Sequence, residues 1–173
     1  MDGRGWSTKN KYNTIDCIHR HCYTNPMGQY IRHAVVPMEE IVEKILFFWG
    51  APRRTKALLS TGHEVGVVSL RMRTFGRAAS SKSGIHCKAC GLKATHFAIE
   101  GFTGSQIPSV HANLYGMKHN VEVLFTQDHV LPVSRGGKDS LNNSQVMCQP
   151  CNSRKGSRSD RKFKAEMRGE KKC

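Results

Sequence analysis

Acidic residues are scarce in this sequence. Thirteen Asp and Glu stand against 27 Lys and Arg in 173 residues, for a formal charge of +14. The imbalance makes a polyanion the expected partner, through attraction and counterion release: nucleic acid first, an anionic membrane surface second. Long apolar runs are lacking as well. The longest of any weight is Ile45 to Trp49, against the roughly 20 residues a membrane helix needs, so no span is expected. The first residues, MDGRGWSTKNKYNTIDC, have neither an apolar h-region nor a small-residue cleavage pattern, so a secretory signal is not expected either. Both absences favour a reducing, cytoplasmic setting. There the seven cysteines, an odd number, are expected to be free or metal-bound rather than disulfide-linked.

The length suits one domain, or one compact domain with an appended segment. Residues 1–36 show no clear period. From Pro37 the apolar positions Ile41, Ile45 and Phe48, with Val42, Leu46 and Trp49, fall at helical spacing, and Gly50-Ala51-Pro52 closes the run. A basic stretch follows, with nine Lys and Arg and a single acid, Glu64, between Arg53 and Lys93. It contains a β-prone run, Val65 to Met72, and exits through a Gly/Ser/Lys-rich segment that reads as a linker near Ser80 to Gly84. Two parts are expected: residues 1–83, an N-terminal extension with one amphipathic helix and a basic surface read as a DNA-binding appendage or as packing surface, and residues 84–173, which carry the chemistry and end in a basic tail. In the second part HFAIEGFTGSQIPSVHANLYGMKHN reads as loop with short elements, VEVLFTQDHVLPVS as a strand, SQVMC as a returning strand, and QPCNSRKGSRSDRKFKAEMR as one charged helix.

Two Cys-x-x-Cys pairs stand out, Cys87/Cys90 and Cys148/Cys151. Each turn presents two thiolates, and two such turns complete a closed tetrahedral zinc site. Residues 91 to 147 separate them, so zinc would staple two distant segments rather than fold one small finger. The competing reading is two unrelated dithiols or one redox pair, and redox pairs sit in a βαβ context this chain lacks. Cys17, His19, His21 and Cys22 read as free thiols and surface imidazoles sooner than as a second metal site.

Asp128-His129 is the other constellation. Phosphodiester hydrolysis needs an activated water, charge stabilisation at phosphorus and help for the leaving oxygen, which one divalent ion and one base can supply. Asp is a hard-cation ligand and His titrates near neutrality. Neighbours on a strand point to opposite sides, so both serve one site only if the chain bends. An Asp-His dipeptide alone carries little weight. The string DHVLPVSRGGKDSLNNSQVMCQPCNSRKG, Asp128 to Gly156, carries more: it resembles the HNH endonucleases, also called ββα-metal or His-Me finger nucleases, in the version with zinc knuckles. The resemblance extends to Cys87 and Cys90 and to nothing before about residue 84.

The resemblance implies His129 as general base, Asp128 and Asn152 as ligands of a catalytic divalent ion, and Asn143 as the middle Asn that orients His129 and its loop. Asn152 replaces the last His of the family name, and the resulting oxygen-only set suits Mg or Mn. Arg135, Arg154 and Lys155 are expected at DNA phosphates. The whole is read as an α+β protein: a zinc-stapled ββα-metal nuclease core with an N-terminal helical and basic extension. The function read is divalent-metal-dependent DNA endonuclease, nicking as a monomer or cutting both strands as a homodimer on DNA, of homing, phage or restriction type. A zinc-stapled DNA- or RNA-binding module without cleavage is the competing reading. Cys87→Ser is expected to unfold the protein and Asp128→Ala to leave the fold intact.

Overall fold

The computed structural model describes residues 23–25, 28–102 and 110–170; Cys17, His19, His21, Cys22 and Cys173 fall outside them. The frame is an antiparallel sheet of six strands in the order β1-β2-β5-β6-β7-β8. The strands are β1 (Tyr23–Asn25), β2 (Gly28–Pro37), β5 (His96–Phe102), β6 (Val110–Lys118), β7 (Val121–His129) and β8 (Ser144–Cys148). Between β2 and β5 the chain forms α1 (Met38–Phe47), a small hairpin of β3 (Lys56–Leu58) and β4 (Glu64–Gly66), and α2 (Leu70–Ala79). After β8 come α3 (Gln149–Lys155) and α4 (Asp160–Glu170).

The helical spacing from Pro37 produces α1 as expected, with Ile41 and Ile45 fully buried and Glu39 and Glu40 in the first turn, where the helix dipole favours acid. The Val65 to Met72 run is not one strand. It splits after β4, because Ser69 caps a helix: its Oγ accepts from Met72 N at 3.1 Å. α1 and α2 pack on one face of the sheet, where Phe75, Phe97, Phe125, Ile99 and Leu114 are completely buried. Each such side chain contributes about 2 kcal/mol of hydrophobic stabilisation.

The segment expected to be loop is instead the hairpin side of the sheet, β5 and β6. Its alternation is real but chemically disguised, since the face away from α1 and α2 is polar and paired. Arg32 on β2 donates to Glu100 at 2.8 Å and to both oxygens of Glu122 at 2.9 and 2.8 Å. Glu100 also accepts from Asn113 at 2.7 Å and from the Tyr115 hydroxyl at 2.9 Å. Burial opposes ionisation of Glu122, yet the Arg32 guanidinium wins and holds its carboxyl below the usual range. The Tyr115 hydroxyl is pushed up by burial and by the neighbouring Glu100 charge. Polar residues recurring on one side of these strands thus mark a partly buried, hydrogen-bonded face rather than a loop.

A division at residues 83 and 84 does not correspond to a break in packing. β2 pairs with β5 from Tyr30↔Phe102 to Pro37↔His96, and Val36, Ile41, Ile45 and Phe75 share one core with Phe97, Phe125, Val146 and Phe163. The reason is geometric: the N-terminal half contributes two sheet strands and two helices, so its apolar faces have no other place to be buried. The charged C-terminal stretch forms two helices, not one. Gly156, at φ 53°, ends α3 in a conformation that favours glycine. No helix of the described residues is long and apolar enough to cross a membrane.

Candidate active site and metal centre

β7 carries Phe125, Thr126, Gln127, Asp128 and His129 in strand alternation, paired to β8 through Asp128↔Gln145 and His129↔Ser144. Phe125 enters the core on the α2 side, while Thr126 and Asp128 face α3. Asp128 is therefore buried, at 6% exposure. Its Oδ1 accepts from Lys155 Nζ at 2.9 Å and its Oδ2 from Gln145 Nε2 at 2.8 Å. Lys155 Nζ donates a second bond to the His129 carbonyl at 2.6 Å, and Gln145 Nε2 reaches Asp160 Oδ1 at 2.8 Å.

His129 stands at the strand end, with its ring 27% exposed. Its Nε2 lies 2.8 Å from Asp139 Oδ1. An ionised carboxylate only accepts, so the shared hydrogen sits on Nε2, and the neutral ring keeps its lone pair on Nδ1. Asp139 was not singled out in the sequence. Its only signal there is a carboxylate just after the Gly136-Gly137 turn, which looks like any polar loop residue.

The loop joining β7 to β8 is held by Asn143. Its Oδ1 accepts from Leu131 N at 2.9 Å, and its Nδ2 donates to Leu131 O and Lys138 O, both at 2.8 Å. Asn143 therefore fixes the backbone that follows His129 and the backbone that precedes Asp139, and acts on the ring through both rather than by touching it. The two glycines have different reasons. Gly136 adopts φ 84°, whereas a Cβ on Gly137 would sit 1.9 Å from the Leu131 carbonyl oxygen, which only hydrogen avoids.

α3 follows directly on Cys148, its N-cap, with Pro150 in its first turn, and presents Asn152 to β7, where its Nδ2 donates to Thr126 Oγ1 at 2.9 Å. That bond uses the amide nitrogen and leaves the amide oxygen as an acceptor. Asp128, His129, Asn152 and Lys155 together line one shallow cavity of about 170 Å³. The oxygens of Asp128 and Asn152 are hard donors of the kind Mg and Mn take, and each carboxylate oxygen has a second lone pair beyond the bonds it already accepts. Lys155 departs from the sequence expectation of a phosphate contact: it is 1% exposed and its ammonium is held by Asp128 and the His129 carbonyl. Arg135 and Arg154 are exposed, as phosphate-contacting residues must be.

The second centre is the cysteine cluster. Gly91 N donates to Cys87 O at 3.0 Å and closes the first knuckle, while Lys88 N donates to Val146 O at 3.0 Å and ties that knuckle to β8. The second pair lies at the start of α3. The four sulfurs of Cys87, Cys90, Cys148 and Cys151 lie within 4.8 Å of one another, with Cys90 and Cys148 at 3.7 Å. A tetrahedral zinc with bonds of about 2.3 Å sets sulfurs about 3.8 Å apart, so the cluster fits zinc. Burial opposes ionisation of Cys87, but the backbone N–H groups of Cys90, Cys148 and Ala89 bond its sulfur and hold it below the usual thiol range. Burial pushes Cys148 up to about 11 and raises Cys151 further, the Cys87 charge adding to both. A cation at the centre removes that mutual repulsion. The cluster fixes where α3 begins and hence where Asn152 and Lys155 stand against β7.

A family model described as HNH endonuclease matches residues 116–168. The match covers the end of β6, β7, the glycine loop, β8, α3 and most of α4, and begins after the first knuckle. No curated protein and no solved structure matches the chain.

Proposed function

We propose, on the match of residues 116–168 to the HNH endonuclease family model, that this protein is a divalent-metal-dependent DNA endonuclease in which His129 is the general base. The observation that carries the reading is that Asp128, His129 and Asn152 line one cavity, with the His129 ring held through Nε2 by Asp139.

Nδ1 takes a proton from a water lying between the ring and the phosphodiester, and Asp139 stabilises the imidazolium that results. Asp128 and Asn152 would hold an Mg or Mn ion, which when bound supplies charge stabilisation at the phosphate and at the leaving 3′ oxygen. Asn143 and Gly137 keep the loop in the one shape that sets Asp139 against the ring. Arg135 and Arg154 contact phosphates on either side. Zinc at Cys87, Cys90, Cys148 and Cys151 is structural. One such site cuts one strand, so a monomer nicks and a dimer on DNA cuts both.

A second reading is a zinc-stapled nucleic-acid-binding module without cleavage. It is favoured by the position of Lys155, whose ammonium already neutralises Asp128. Incubation of supercoiled plasmid with the protein separates the two. The nuclease reading expects relaxed or linear product with Mg or Mn and none with EDTA, whereas the binding module shifts the plasmid without cutting it under any divalent ion.

A further inference from the structure

Two parts of the basic stretch from Arg53 to Lys93 meet on one side of the molecule. The turn after α1 carries Arg53 and Arg54, and the first turn of α2 carries Arg71 and Arg73. Between them lie two adjoining cavities, of about 250 and 550 Å³, that share Arg53, Ser69 and Asp139 among their walls. Arg73 lines the smaller one, and Arg54, Arg71 and His111 line the larger. Asp139 is the one carboxylate on either wall.

The arginines are set in different ways. Arg71 is fixed, donating to Asn113 Oδ1 at 2.9 Å and to the Ala112 carbonyl at 3.0 Å. Arg73 donates one Nη bond to the Ala51 carbonyl at 3.3 Å, while its Nε is buried with no hydrogen-bond partner, the one such side-chain atom among the described residues. A buried donor without an acceptor is costly, and more so on a charged group. Arg53 and Arg54 are exposed at the rim. The planar guanidiniums of Arg53 and Arg54, open to solvent, suit phosphate oxygens. The cleft reaches toward the candidate active site through Asp139, which lines it and whose Oδ1 lies 2.8 Å from His129 Nε2.

We propose that this cleft is a second contact for the phosphate backbone of duplex DNA, built from residues outside the 116–168 match and leading the duplex toward His129. The proposal rests on the nuclease reading of that site for its substrate, but it concerns a separate surface with its own test. Arg53 and Arg54 anchor phosphates at the rim, and Arg71 and Arg73 add positive charge to the wall behind them. A contact of this kind carries no sequence information and sets the register of the duplex on the site.

The test is the salt dependence of binding to a duplex of about 20 base pairs, in buffer without added Mg or Mn so that no cleavage occurs. Each phosphate contact adds about 0.9 to the slope of log K against log salt. Arg53→Gln/Arg54→Gln is expected to lower that slope by about 2, while Arg53→Lys/Arg54→Lys keeps it. Lys93→Gln/Lys118→Gln, two exposed positions away from the cleft, removes the same charge and is expected to change the slope by less than half as much. Unchanged zinc content and melting temperature in all three variants establish that the fold is retained. Equal slopes in wild type and Arg53→Gln/Arg54→Gln, or equal losses in the two Gln pairs, would overturn the cleft while leaving the nuclease reading standing. Wild type that binds no duplex at any salt would overturn both, and wild type that binds but never cuts would overturn the nuclease reading alone.

Discussion

Lys155 Nζ donates to Asp128 Oδ1 at 2.9 Å, and the two side chains are 1% and 6% exposed. A buried pair of this kind gains little overall against its desolvation, but removal of one partner strands the other. Lys155→Met is expected to cost about 3–5 kcal/mol, read by chemical denaturation with zinc present. Adding Asp128→Asn to it restores most of that loss, because no charge is left buried. Asp128→Ala should cost about as much as Lys155→Met, by stranding the ammonium. The sequence alone suggests the opposite, an intact fold, because nothing in an Asp-His dipeptide reveals which side of its strand is buried. A loss under 1 kcal/mol for either single substitution would show that the pair is not formed in solution.

The cysteine cluster leads to one zinc per chain. Cys90 is the exposed member of the four, yet Cys90→Ser is expected to abolish stoichiometric zinc in elemental analysis, since three thiolates bind far more weakly than four. Stripping zinc with a strong chelator should unmake the start of α3 and broaden or lower the thermal transition, because structural zinc contributes folding free energy directly. Protein that purifies without zinc and melts unchanged after chelation would contradict the assignment.

Gly136 and Gly137 are adjacent but should respond differently. Gly136→Ala meets nothing within 4 Å and pays only for φ 84°, about 1 kcal/mol. Gly137→Ala places a methyl against the Leu131 carbonyl, so the loop must open and Asn143 must release its bonds to Leu131 and Lys138. Plasmid cleavage is expected to fall by at least 100-fold in Gly137→Ala and by less than tenfold in Gly136→Ala, with zinc retained in both. Equal activity of the two would mean that the loop does not position His129.

Much of the site was legible because its residues are spaced by short-range geometry. Cys148, Cys151 and Asn152 fall on one helical turn, β7 and β8 are short apolar runs bounded by turn formers, and the glycine pair marks the loop between them. What was not legible depends on tertiary contacts. β5 and β6 hid their period because Glu100 is polar yet buried, held by Arg32, Asn113 and Tyr115, and because the half-buried His96 and Asn113 are held by Glu122 and by Glu100. The fate of Lys155 depended on a carboxylate 27 residues away. Asp139 had no recognisable signal until the loop closed on His129. The linker-like composition near Ser80 to Gly84 suggested a boundary, whereas β2 crosses it to pair with β5.

The central claim is that His129 takes the proton from the attacking water. Comparison of His129→Ala with wild type on supercoiled plasmid, in Mg or Mn, with DNA affinity measured in parallel, tests it most directly. The account predicts a loss of cleavage of roughly 100-fold to 10,000-fold, the range of general-base catalysis, with affinity changed less than threefold. Cleavage by His129→Ala at the wild-type rate, or wild type that never cleaves while binding DNA, would contradict it.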